Sequence, residues 1–203
     1  MDFINAIILL SNFVIVPSIT YGSQLALVAI GVTLIYGVLR FANFAYGDLM
    51  AFGTMCVILF TWLLKSWGIS LGILPTALLA LPFGIVLTIG VSLFFDRTVF
   101  EYYRNKKSSP VTFIVVSLGI MFVLNAVVRI IIGPNNIIFM DGSRFIISAV
   151  DFKEATGFLE GLTIKSTQVI TLITTSITCY LLFNFLNKTK TGKSMRAYSN
   201  NED

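Results

Sequence analysis

The fold class this sequence predicts is all-α: a polytopic transmembrane helical bundle with five full-length spans and one short N-terminal apolar segment. Three observations predict it. Of 203 residues, 56% are hydrophobic and only 12% are charged, against roughly 25% charged in an ordinary soluble domain. Several charge-free stretches reach the ~20 residues that a helix rising ~1.5 Å per residue needs to cross ~30 Å of hydrocarbon. The basic residues fall in short clusters between those stretches, as positive-inside topology requires. That clustering also argues against nucleic acid as a partner, despite a formal charge of +4, and makes the lipid bilayer the solvent for much of the surface.

The elements follow in order. From Phe3 to Leu39 there are 37 residues without a charge, about 55 Å of helix at ~1.5 Å per residue, which is too long for one crossing. Pro17 supplies a natural break. The reading is a short segment from about Phe3 to Val16, whose crossing is left open, followed by a span from Ile19 to Leu39. No basic stretch precedes the apolar run, and the run is far too long for a secretory signal, so it is expected to stay in the mature protein. After Arg40 comes a turn-like stretch, Asn43 to Asp48, and then an apolar run to Leu64 that ends on the interface anchors Lys65 and Trp67. Leu71 to Leu93 is charge-free, Val111 to Ile132 carries only Arg129 near its end, and Thr167 to Leu186 is charge-free again.

Charge sets the sidedness. Arg97, Arg104, Lys106 and Lys107 lie between the third and fourth spans, and Lys188, Lys190, Lys193 and Arg196 follow the last one. Both segments, 94–110 and 187–203, are therefore expected in the cytoplasm of a multi-pass inner (plasma) membrane protein. Helix parity then places Arg40 inside, and Lys65 with the 34-residue connection Gly133 to Ser166 outside, for nine Lys/Arg inside against four outside. The turn signal Gly133-Pro134-Asn135-Asn136 and the β-prone run Phe145 to Val150 predict a small structured loop within that connection.

Catalytic chemistry finds no footing. A Walker-type phosphate loop, HExxH and GxSxG are all missing, and Gly192-Lys193-Ser194 lacks the upstream glycine of a phosphate loop. There is no histidine, and Cys56 and Cys179 sit in apolar stretches far apart, so no metal, cofactor or catalytic residue is expected. The polar and small residues point elsewhere. Gly22, Ala26, Ala29, Thr33 and Gly37 recur at helical intervals, a seam for close helix packing, with Gly47 a further packing residue or a site of unusual backbone angle. Gln24, Thr33 and Tyr36 are candidates to line a solute path, since lipid tolerates such groups poorly. Asn43 and Asp48 flank Gly47 at a membrane boundary, either as part of an ion or substrate site or with Asp48 capping the next helix. Asn125 and Arg129 sit one turn apart and suit structural anchoring, with Arg129 close enough to the outer end to snorkel. After Leu186 the tail turns at Gly192 and then suits a short amphipathic helix.

The segments Gly22-Ser23-Gln24-Leu25-Ala26-Leu27-Val28-Ala29-Ile30-Gly31, Leu34-Ile35-Tyr36-Gly37, Asn43-Phe44-Ala45-Tyr46-Gly47 and Thr191-Gly192-Lys193-Ser194-Met195-Arg196-Ala197 together resemble the branched-chain amino acid ABC permease family over nearly the whole chain. Two departures stand out: the family commonly has His or Gln where Tyr46 stands, and its Arg-Pro pair is replaced by Glu101-Tyr102-Tyr103. The resemblance implies an alternating-access importer subunit for branched-chain amino acids. Its implied partners are a second permease subunit, two ATP-binding subunits and an extracytoplasmic solute-binding protein. It also implies that Gly192, Lys193, Met195, Arg196 and Ala197 begin the cytoplasmic helix that couples to the ATPase, and that the family's pattern continues past Asp203, as if this chain were truncated. The position of the Gly133 to Ser166 connection makes it the candidate surface for the binding protein. The same permease type acting on urea or short-chain amides is the alternative. A non-transporting membrane assembly subunit or a membrane-embedded enzyme would be of another class, the enzyme requiring a convergent set of His, Asp, Glu or Cys within the membrane.

Overall fold

The computed structural model describes residues 2–70, 74–133, 135, 139 and 145–200. It bears out the all-α polytopic bundle, with five helices long and apolar enough to span a membrane: Phe3–Leu39, Ala45–Ser66, Ala77–Asn105, Pro110–Ile132 and Ser166–Lys188. The protein is a multi-pass integral membrane protein. Large apolar side chains within the spans, such as Val86, Phe122, Ile130 and Phe183, point outward, which is costly in water and costless in lipid. Two compact units are distinguishable, Met1–Thr33 with Gly142–Asp203, and Leu34–Asp141.

In the first unit, α1 (Asp2–Leu10) runs through a π-helical turn, Ser11–Ile15, into α2 (Val16–Leu39). The expected break at Pro17 does not occur. Proline lacks an N–H and its ring crowds the carbonyl one turn back. Here the preceding turn is widened, with the Val16 N–H bonded to the Ser11 carbonyl five residues earlier, and such a wide turn relieves that crowding without stopping the helix. Asn12, inside the π turn, reaches the Gly133 to Ser166 connection: its Nδ2 donates to the Gly161 carbonyl at 2.7 Å, and its Oδ1 accepts from the Thr163 backbone N–H at 2.9 Å and from Thr163 Oγ1 at 3.3 Å.

The connection is structured, as its β signal predicts; the turn signal at 133–136 falls partly on residues 134 and 136, which with 137–138 and 140–144 lie outside the described residues. β1 (Phe145–Ile147) pairs antiparallel with β2 (Ile164–Lys165), with a bulge between Phe145 and Ile147. The strand stops short of Val150 because Ser148 caps α7 (Ala149–Thr156), its hydroxyl accepting the Val150 N–H at 3.2 Å, a favoured N-cap arrangement. Gly157, at φ +70°, closes α7 in the left-handed conformation that glycine adopts without strain. β2 leads directly into α8 (Ser166–Lys188), where Gln168 Oε1 accepts the Lys165 N–H at 2.9 Å. α8 carries many hydroxyls, yet Thr171, Thr174, Ser176 and Thr178 each bond a carbonyl one turn back. A threonine so bonded adds no unsatisfied donor to a lipid-facing helix.

The second unit is built on α3 (Ala45–Ser66), α4 (Ala77–Phe95) and α6 (Pro110–Ile132). The start of the third predicted span, Leu71 to Ile73, lies outside the described residues. Its end extends further than expected: α4 passes through a second π turn, Asp96–Phe100, into α5 (Glu101–Asn105). Most of the basic segment between the third and fourth predicted spans is thus a helical extension, with Arg104 and Asp96 paired at 2.9 Å across the π turn. Ala45, Ile120 and Leu124 form a buried centre, surrounded by Phe52, Val91, Phe95 and Met121 among others. α3 and α4 approach most closely at Gly53 and Gly84. A Cβ on Gly53 would lie 2.6 Å from Thr88 Oγ1, and one on Gly84 would collide with Val57 and lie 3.2 Å from the Gly53 carbonyl oxygen. Phe60 stacks on Phe83 at 4.8 Å between ring centroids. These close approaches are the small-residue packing that lipid-embedded helices use in place of a hydrophobic drive.

Candidate functional site

The turn between α2 and α3 places several polar groups of the second unit against α6. Arg40, at φ +60°, ends α2 in the left-handed conformation, its N–H bonded to the Tyr36 carbonyl at 2.9 Å. Phe41 is then buried between Phe100 and Phe113, at centroid distances of 5.9 and 5.2 Å. Asn43 caps α3: its Oδ1 accepts the Ala45 N–H at 3.1 Å, and its carbonyl lies 3.4 Å from the Tyr46 nitrogen. The Phe44 N–H donates to Ser117 Oγ at 3.2 Å, and the fully buried Ser117 hydroxyl donates to the Ile114 carbonyl at 2.8 Å.

Asp48 follows in the first turn of α3, where a carboxylate faces the positive end of the helix dipole. The capping role considered for it is taken by Asn43. Asp48 reaches across to α6 instead, its Oδ1 accepting from Asn125 Nδ2 at 3.0 Å. The structure therefore brings Asp48, Ser117 and Asn125 to one α3–α6 seam, a polar strip between two apolar helices, with Asn43 bonded only locally at the start of α3. Ser117 and Asn125 were not singled out together with Asp48 in the sequence, because a bond between residues 77 positions apart leaves no periodic signal. Arg129 stays exposed at the end of α6, as snorkelling requires. Gly47 has ordinary helical backbone, and a Cβ there would meet nothing within 4 Å. Neither the close contact nor the unusual angle expected of it is present.

The α2 candidates do not all share one face, Tyr36 lying about 60° from Thr33 at ~100° per residue while Gln24 stands apart from both. At ~100° per residue, Gln24 and Thr33 lie about 180° apart on the helix, so one wall of a path cannot hold both. Thr33 belongs to the face of Gly22, Ala26, Ala29 and Gly37, and its hydroxyl is taken up by the Ala29 and Ile30 carbonyls at 2.5 and 3.1 Å. Gln24 and Tyr36 are exposed, as are Gly22, Ala26 and Ala29, while Gly37 is half-buried. The seam thus packs against nothing along most of its length within the described residues, whereas Gly53 and Gly84, absent from the expected packing set, bring α3 and α4 into close contact.

At the other end of the chain, Thr189 serves two helices. Its hydroxyl donates to the Phe185 carbonyl at 2.6 Å as α8 ends, and accepts the Gly192 N–H at 3.0 Å as α9 (Lys190–Asn200) begins. The turn expected at Gly192 falls instead at Thr189, whose extended backbone separates the two helices. Gly192 is buried in the third position of α9, and a Cβ on it would lie 2.6 Å from Leu186 Cα and 2.9 Å from the Phe185 carbonyl carbon. Glycine is what allows α9 to fold back onto the end of α8. Lys193, Met195, Arg196 and Ala197 are all exposed, and Lys190, Lys193 and Arg196 line one side of α9 at three-residue spacing.

A groove of about 440 Å³ runs between α3 and α4, lined by Leu49, Gly53, Val57, Gly84 and Ile89 among others. Its hydroxyls, on Thr54 and Thr88, are bonded to the Met50 and Gly84 carbonyls. Such a surface fits hydrocarbon and offers a zwitterionic solute nothing to bind. Among the described residues no group of three His, Cys, Asp or Glu side chains could hold a metal.

Comparison with known proteins adds a family to this geometry. The model of the family described as branched-chain amino acid transport system / permease component matches residues 14–203. Among curated proteins, the high-affinity branched-chain amino acid transport system permease protein BraD of Pseudomonas aeruginosa is 24% identical over 192 residues, covering 90% of this chain and 57% of its own length. The corresponding protein LivH of Escherichia coli K12 is 26% identical over 185 residues, covering 88% of this chain and 56% of its own. The chain thus spans a little over half the length of these curated relatives. No solved structure matches. The family match runs through all five membrane helices and on through α9, and on that ground this chain belongs to the permease component family of branched-chain amino acid transport systems.

Proposed function

We propose that this chain is part of the membrane-spanning permease subunit of an ABC importer that carries branched-chain amino acids across the inner membrane, with ATP hydrolysed on separate subunits. The observation that carries this reading is the family match over residues 14–203, which takes in α9 as well as the spans. α9 supports it physically: a short cationic helix, held at a defined angle to α8 by Gly192 and Thr189, can transmit a push from a soluble subunit to the membrane helix it abuts. Lys193, Met195, Arg196 and Ala197 face outward for that subunit. In this reading segments 94–110 and 187–203 are cytoplasmic, and the connection 133–166 faces the solute-binding protein. A second permease subunit covers membrane faces that this chain leaves exposed, the small-residue face of α2 among them. Asp48, bonded to Asn125, and the Phe44 N–H, bonded to Ser117, hold α3 against α6 beside the path, with Asn43 capping α3; Gln24 and Tyr36 remain candidates to line it.

The test is ATP-driven uptake of labelled leucine and of labelled urea, in vesicles carrying the full-length gene product with its partner permease, ATPases and binding protein. Leucine uptake that Arg196→Glu abolishes is the expected result. Urea uptake without leucine uptake would overturn the substrate, and leucine uptake indifferent to Arg196→Glu would overturn the coupling role of α9.

A further inference from the structure

Asn12 makes three hydrogen bonds to residues some 150 positions away, to the Gly161 carbonyl and to both the N–H and the hydroxyl of Thr163. A side-chain amide has two donors and one carbonyl oxygen with two acceptor sites, so most of the Asn12 capacity is spent on this one strip of backbone. The strip is itself held. A Cβ on Gly161 would lie 2.7 Å from Ala149 Cα, so Gly161 is pressed onto the start of α7, and Thr163 leads straight into β2 and α8. Asn12 is therefore level with the point where α8 begins.

Lengths counted from that level decide what lies in the membrane. α2 (Val16–Leu39) has 24 residues and α8 (Ser166–Lys188) has 23, about 36 and 34 Å at ~1.5 Å per residue, and each covers a hydrocarbon core of ~30 Å. The residues before Asn12 are surplus to that crossing. They lie on the connection's side, because α8 starts there and carries the chain across to the basic tail.

We propose that Asn12 fastens the N-terminal helix to the Gly133 to Ser166 connection, so that Asp2–Ile15 does not cross the membrane separately and lies on the side opposite Lys188 to Arg196. Asn12 is then the positioning residue of the platform made by β1, α7 and β2. A further part rests on the functional reading above: a platform held by Asn12 is presented to the solute-binding protein in one orientation.

The experiment uses the full-length gene product in membranes, with Cys56→Ala and Cys179→Ala as background. The pair Asn12→Cys/Thr163→Cys is expected to form a disulfide on mild oxidation, found as a linked peptide by mass spectrometry, whereas Asn12→Cys/Lys188→Cys is not. Failure of the first pair, or equal linking of both, overturns the fastening. Trypsin added to the connection's side reads the positioning: Asn12→Leu is expected to raise cleavage after Lys153 about tenfold or more, as a released segment opens more often. The oxidised cysteine pair should restore slow cleavage and a reductant should reverse that; a rate unchanged by Asn12→Leu overturns the role. With the binding protein added, Asn12→Leu should raise its half-saturating concentration about tenfold while leaving maximal uptake intact, with rescue by the oxidised pair. Faster cleavage with unaltered half-saturation would leave the fastening standing and overturn the docking half alone.

Discussion

Replacing Gly192 by alanine adds a single methyl group at the junction between α8 and α9. That methyl would lie 2.6 Å from Leu186 Cα and 2.9 Å from the Phe185 carbonyl carbon, and would also collide with the Phe185 carbonyl oxygen. All three neighbours are backbone, so no side-chain rotation relieves the contact, and overpacking of this kind costs ~1–3 kcal/mol. Alanine is the better helix former by ~0.8–1 kcal/mol. That gain applies to α9 whether or not it is docked, so it does not offset the clash. At ~1.4 kcal/mol per factor of ten, a penalty near 2 kcal/mol lowers the ratio of docked to undocked α9 about thirtyfold. Helix content should hold while the distance between spin labels at Phe183 and Ala197 broadens, and, in the unlabelled protein, leucine uptake in the assembled transporter should fall by about tenfold or more with ATP hydrolysis uncoupled from it. Ser194→Ala, on the exposed side of α9, is the control and should change neither. An unbroadened label distance in Gly192→Ala would refute the steric reasoning; broadening with normal uptake would refute the link from docking to transport.

Asn125→Leu should destabilise the detergent-solubilised protein by about 1 kcal/mol, and a double-mutant cycle with Asp48→Leu should return a coupling of ~0.6–1.7 kcal/mol, the range for hydrogen bonds between membrane helices; additive single effects in thermal unfolding would dissolve the pair. Gly84→Leu should cost ~1–3 kcal/mol by forcing α3 from α4, whereas Gly90→Leu on the same helix, with nothing within 4 Å of its Cβ, should be neutral or slightly stabilising in the same assay. Asp96→Ala removes an ion pair whose partners are both nearly half exposed, so denaturant midpoints should register less than ~1 kcal/mol.

Much of this protein was legible in sequence because the bilayer is a severe solvent. A charge-free run of ~20 residues has few fates other than a membrane helix, so the five spans and the helical class followed from composition and spacing alone. The structured connection was legible in part, since the β-prone run from Phe145 acts through local backbone preference, whereas α7 with its Ser148 and Gly157 caps was not anticipated. Motif resemblance supplied the family, which the match over residues 14–203 bears out. Local rules failed where a neighbouring turn altered their terms. Pro17 breaks an ordinary helix, but a π turn directly before it absorbs the conflict, and the second π turn carries α4 past Asp96 into the basic segment beyond the predicted span.

What only the tertiary structure decided is which polar and small residues meet. Small residues recur along α2 as regularly as on any packing face, yet the tight approach is made by Gly53 and Gly84, since closeness depends on where two helix axes cross. Asp48 and Asn125, or Asn12 and Thr163, are joined across 77 and 151 positions, and no one-dimensional period encodes such a bond. By itself the sequence determined the medium, the five full-length spans and the helical class, because each depends on how one segment partitions between water and lipid, while the crossing of Phe3 to Val16 stayed open. The pairings that fasten those crossings to one another depend on free energies shared between distant segments, and they came into being only when the chain had folded.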